Sequence, residues 1–178
     1  MENIVTVKMS KSKQITYAAL LLALGLILPR ITGMIPIAGI NSMLSPMHIP
    51  LLLAGFILSW KYSLILGISL PLVSFLLTGM PPLFPIGLAM MGELATYGIV
   101  AYFLYQVAHK NIYLSLIIAM LCGRIVLGIM NTILLSAANI PYGFEAFLTS
   151  AFVTAIPGII LHLIVVPPLV NALKKTFR

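Results

Sequence analysis

Two ionisable side chains stand inside long apolar runs of this sequence, and their types and neighbours set the chemistry open to it. Arg124 falls in the middle of CGRIVLGIMNTI, and Glu93 lies in MMGELATYG, seven residues in from the start of its own run. A charge at the centre of a bilayer costs roughly 2.5 to 3.5 kcal/mol on insertion scales, so such groups face a cavity or a partner. At helical spacing Arg124, Gly128 and Asn131 share one face, being i, i+4 and i+7, and Glu93 and Tyr97 share another as i and i+4. Two readings of these stripes stand side by side. In one they line a pocket, where Arg124 holds an anionic group and Glu93, Tyr97 and Asn131 supply hydrogen bonds. In the other, Glu93 and Arg124 form an internal ion pair that locks two helices together.

Catalytic patterns are missing. The chain has no GxxxxGK[ST] phosphate loop, no GxSxG elbow, no HExxH helix and no paired carboxylates. The three histidines, His48, His109 and His162, sit on separate segments, so a metal site would require three coincidences of packing. A single cysteine, Cys122, supports neither a disulfide framework nor a metal cluster. No cofactor is expected. A net charge of +7 raises the question of nucleic acid, but the basic residues do not interleave with aromatics and no binding module is visible.

The elements that must position these residues are membrane helices. Of 178 residues, 61% are hydrophobic and 7% charged, against roughly 25% charged in an ordinary soluble domain. Ten basic and three acidic side chains cannot cover a soluble surface of this size, so the bilayer is the natural solvent. Cutting the apolar runs at Pro, Gly, Asn and charged interruptions predicts an all-α protein with six spans: 14–28, 47–59, 62–77, 86–106, 112–136 and 146–172. The second and third are short for the roughly 20 residues that a crossing needs. Folding 47–77 into a re-entrant hairpin would leave four crossings, but it would bury the Lys61 ammonium of the Trp60-Lys61-Tyr62 tip, a combination that reads as an interfacial anchor. The first run follows Lys8, Lys11 and Lys13 but leads into Pro29 and Arg30 without a small-residue cleavage site, and is read as a retained helix.

Alternating loops divide the basic residues sharply. Lys8, Lys11, Lys13, Lys61, Lys110, Lys174, Lys175 and Arg178 fall on one side and Arg30 alone on the other, so the positive-inside rule predicts cytoplasmic termini. The outer loops, 29–46, 78–85 and 137–145, are rich in Gly, Pro and Asn and apolar for segments in water. Proline-stiffened apolar loops suit a lid over a pocket, and they would equally serve to cap a helix bundle. Asn41, in the first of them, joins Arg124, Asn131, Glu93 and Tyr97 as a candidate substrate-binding residue. On the first span Ala19 and Ala23 form a small-xxx-small face that lets another helix approach closely.

The stretches MLSPMHIPLLLAGFILSW and GMPPLFPIGLAMMGELATYG, with the A-x-x-x-A element and six spans in about 180 residues, resemble the substrate-binding S components of energy-coupling factor (ECF) vitamin transporters. The resemblance covers nearly the whole chain. It implies a single integral membrane domain in a bacterial inner membrane that binds a water-soluble vitamin at its outer side, between helices four to six and the covering loops. It implies partners as well: a transmembrane coupling subunit, contacted through Ala19 and Ala23, and two cytoplasmic ATPases. Among the subfamilies the chain most resembles those assigned to pantothenate, and Arg124 adds an argument for an acidic substrate, since a buried carboxylate needs a charge partner or several donors. Folate and nicotinate are also anionic, and cobalamin and pyridoxine stay open. A membrane scaffold with a purely structural Glu93 and Arg124, and a small intramembrane enzyme, are the competing readings.

Overall fold

The structure, a computed structural model, describes residues 9–149 and 153–176; Lys8 and Arg178 lie outside them. The regular elements among them are helices, and six stretches are long and apolar enough to cross a membrane: Lys11–Gly33, Ile40–Ile57, Trp60–Thr78, Leu83–Val107, Ile112–Ala137 and Ile156–Lys175. Their ends differ from the predicted ones in instructive ways.

Helix α1 (Lys11–Gly33) starts at an N-cap Ser10, whose side chain accepts from the Lys13 amide, and runs past the predicted stop at 28. Pro29 lies inside it, where its fixed φ is compatible with a helix. Arg30 therefore sits in the last helical turn, where a cation meets the negative end of the helix dipole. The outer segment predicted as a loop from 29 to 46 is accordingly half helix, since α2 (Ile40–Leu44) follows.

The second crossing is broken. Ser45, at φ 45°, and Pro46 separate α2 from α3 (His48–Ile57), whose ten residues rise about 15 Å against a ~30 Å hydrocarbon core. Apart from Ile49, all of α3 is buried. That burial explains how irregular backbone is tolerated at this depth, because a break inside a membrane protein survives only where protein or a cavity surrounds it. At its other end, the Gln106 amide donates to the carbonyls of Gly55 and Leu58, at 3.2 and 2.9 Å, satisfying groups that the helix end leaves open.

Helix α4 (Trp60–Thr78) is a full-length crossing that begins at the Trp60-Lys61 tip and stops at Gly79, where φ is 72°. The segment Leu83–Gly87, kinked at Phe84 where φ is -113° and ψ 134°, leads into α5 (Leu88–Tyr102), and a five-residue π-type turn (Phe103–Val107) leads out of it. Then come α6 (Ile112–Ala137), the short α7 (Phe144–Leu148) and α8 (Ile156–Thr176). The last crossing thus begins ten residues later than the predicted 146, because residues 144–148 form a separate helix.

Helix α5 is the hub, packed against α3, α4 and α6. Glycines make those approaches possible: a Cβ on Gly67 of α4 would stand 2.7 Å from the Ala95 amide nitrogen of α5. The terminal ends of the crossings meet where the Ser59 amide donates to Gln14 and Lys174 donates to the Tyr105 hydroxyl. Arg30, Asn41, Thr78 and Asn131 gather at the opposite end, around an opening in the bundle.

Candidate functional site

That opening is a cavity of about 680 Å³, within the roughly 300–1,000 Å³ typical of small-molecule sites. Its walls come from the end of α1 (Leu26, Pro29, Arg30), the α2–α3 break (Asn41, Ser45, His48), the end of α4 (Ser74, Thr78), α5 (Met90, Glu93) and α6 (Arg124, Leu127, Asn131). The broken crossing is what makes room.

At the floor a buried polar network joins α3, α5 and α6. Glu93 Oε1 stands 3.2 Å from Arg124 Nη1 and accepts a 2.6 Å hydrogen bond from the Tyr97 hydroxyl. Its other oxygen, Oε2, stands 3.5 Å from His48 Nε2. The His48 ring is held from the opposite side, with Nδ1 3.0 Å from the Ser45 carbonyl oxygen exposed by the helix break. His162 of α8 meets His48 edge-on, ring centroids 5.9 Å apart, and Tyr97 does the same at 5.4 Å. Glu93 and Tyr97 are each 1% exposed, and Arg124 6%, so the network is shut off from everything but the cavity.

The predicted residues separate here. Arg124, Asn131, Glu93 and Asn41 all line the cavity. Tyr97 does not; it stands behind Glu93 and orients that carboxylate. The ion pair and the cavity wall, set out from sequence as alternatives, are the same residues. Gly128 turns away from its expected neighbours, and the Phe147 ring fills the space beside it, so Leu127 takes its place in the cavity wall. Asn41 is committed in part, since its amide donates to the Pro29 carbonyl at 3.0 Å and its carbonyl oxygen accepts from the Thr32 hydroxyl. It latches the α2 segment to the end of α1.

Of the cavity residues that escaped the sequence reading, two carry ionisable side chains. His48 was set aside with the scattered histidines, although Pro46 two residues before it signals a helix break that would free a ring at the start of α3. Arg30 counted only as an outer-loop charge. Among the described residues no three His, Cys, Asp or Glu side chains come together for a metal, and His109 belongs to the terminal end beside Lys110.

Ala19 and Ala23 lie on the outside of α1 and are exposed together with Ile15, Leu20, Leu24 and Ile27. The opposite side of that helix, Leu21 and Gly25, packs inward. An apolar stripe facing outward is what the bilayer, or another membrane helix, would cover.

Six apolar crossings around a polar-floored cavity, with no catalytic constellation among the described residues, define a multi-pass membrane protein built to receive a small molecule. Residues 13–170 match the family described as ECF transporter, substrate-specific component, and the chain belongs to that family. It is therefore a substrate-binding transporter subunit and not an enzyme; ATP hydrolysis lies with the partner subunits of the ECF module. A solved structure described as "Structure and mechanism of the S component of a bacterial ECF transporter" superposes with a TM-score of 0.69 at 23% identity, covering 95% of this chain and 99% of the other. At that identity the likeness speaks for the fold. A search of curated proteins finds no match.

Proposed function

We propose that this S component captures a water-soluble vitamin bearing a carboxylate, with pantothenate the first choice, from the extracytoplasmic side of a bacterial inner membrane. The observation that carries the reading is the charge of the cavity wall: Arg30 and Arg124 face one carboxylate, Glu93. Glu93 pairs with Arg124, and Arg30 has no ion pair among the described residues. The cation in excess, Arg30, is exposed at the mouth, where it would draw an anion towards the buried Arg124. Asn131 and Thr78 in the wall, with the remaining capacity of Glu93, suit the hydroxyl and amide groups of pantothenate. The volume, about 680 Å³, suits a vitamin of that size.

The basic residues at the terminal end support an orientation with the cavity mouth outside. The exposed Ala19 and Ala23 face supports docking to a transmembrane coupling subunit, which with two ATPases would supply the energy.

Titration calorimetry of the purified protein with pantothenate, folate, nicotinate, pyridoxine and cobalamin tests the substrate class. Saturable binding of pantothenate supports the proposal. Binding confined to another acid would move the identity, and binding confined to a neutral vitamin would overturn the carboxylate reading.

A further inference from the structure

The residues that line the cavity are layered along its depth. Glu93 and Arg124 stand at the floor. Met90 lies three residues nearer the mouth than Glu93 along α5, and Leu127 three residues nearer it than Arg124 along α6, each a rise of about 4.5 Å. Leu26 of α1 joins them from about one turn below Arg30. All three side chains are half-buried, and none offers a hydrogen-bond donor. Polar groups return about one turn further out, at Asn131 of α6 and Arg30 of α1. The order from floor to mouth is therefore charge, hydrocarbon, then polar groups. A hydroxyl or amide held at the middle layer would lose its water and find no partner there, whereas an apolar segment loses nothing. The layer is also aliphatic. Among the described residues no Phe, Tyr or Trp lines the cavity, so a flat ring has no such face to stack on. Two leucines and an unbranched, adaptable methionine suit the irregular outline of a saturated, branched carbon segment instead.

We propose that Leu26, Met90 and Leu127 form a specificity belt, and that the ligand it selects is an aliphatic acid with a saturated segment between its carboxylate and a second polar end. This rests on the acidic-vitamin reading and sharpens it, by separating acids of that build from nicotinate and folate, whose bodies carry aromatic rings. Pantothenate has the required order: its two geminal methyl groups lie between its carboxylate and its terminal hydroxyl. Seated at the belt, they would leave the carboxylate to the floor and the hydroxyl to the polar groups of the mouth.

Calorimetry on the purified full chain compares pantothenate with an analogue in which both geminal methyl groups are replaced by hydrogen, and with nicotinate and folate. Wild-type protein should prefer pantothenate to the analogue roughly 10- to 20-fold, the worth of two buried methyl groups. Leu127→Asn, close in shape but polar, should bring that ratio below about threefold, and Leu127→Met should keep it. A ratio does not move when folded protein is merely lost, and Met90→Gln reads the same ratio where Leu127→Asn fails to fold. Equal binding of the two compounds by wild-type protein would overturn the belt while the acidic-vitamin reading stands. So would a ratio undiminished in both Leu127→Asn and Met90→Gln. Nicotinate or folate bound in preference to pantothenate would overturn the aliphatic ligand and leave the carboxylate reading intact. Failure to bind any of these acids would overturn both.

Discussion

Arg124 Nη1 and Glu93 Oε1 meet at 3.2 Å across the α5–α6 interface, and both side chains also form the wall of the cavity. One contact thus ties two crossings together and shapes the site, so stability and binding need separate variants to be told apart.

Arg124→Gln leaves a buried carboxylate without its cation, a loss of about 3–5 kcal/mol in comparable pairs. The double variant Glu93→Gln/Arg124→Gln removes both charges and should recover most of that stability by thermal unfolding in detergent. Neither variant should bind an acidic vitamin. Binding restored along with stability in the double variant would show the pair to be purely structural.

Tyr97→Phe removes the 2.6 Å bond to Glu93 without opening the cavity wall. Loss of a hydrogen bond to a charged group is worth about 1.5–3 kcal/mol, so the melting temperature should fall. Calorimetric affinity should change by less than about tenfold, since the residue stands behind the site. A loss of binding as large as that of Arg124→Gln would mean Tyr97 contacts the ligand itself.

Asn41 fastens the α2 segment to Pro29 and Thr32 at the cavity mouth. In Asn41→Ala that fastening is gone, and the bound vitamin should leave faster while its association rate stays close to wild type. Stopped-flow displacement reads both rates. Slower association with unchanged release would contradict a latch.

Gly67→Ala would ordinarily stabilise a helix interior by about 1 kcal/mol. Here the new methyl would lie 2.7 Å from backbone of α5, which cannot swing aside as a side chain can. Overpacking of this kind costs about 1–3 kcal/mol, so the net effect on thermal unfolding is a loss. A gain in stability would show that α4 and α5 are less tightly seated.

Bulk on the outer face of α1 should act differently again. Ala19→Trp or Ala23→Trp changes an exposed position, so vitamin binding by the isolated chain should persist while co-purification with the coupling subunit fails. Ligand binding lost with assembly intact would place the partner interface elsewhere.

Much of this protein was legible along the chain. Sparse charge and long apolar runs required membrane helices, and the anchor at Trp60-Lys61 favoured six crossings over a hairpin, because a buried ammonium is expensive and an interfacial one is not. Glu93 and Arg124 stood out for the same reason, and Asn131 by its helical spacing from Arg124. What local pattern could not supply was where helices continue or break. Pro29 lies within α1 while Pro46 ends α2, a difference set by what surrounds each residue and not by its type. The tertiary structure alone decided that His48 and Glu93, 45 positions apart in sequence, meet at the cavity floor, and that Tyr97 and Gly128 turn away from it. Helical spacing says which residues share a face; only packing between crossings says what that face meets.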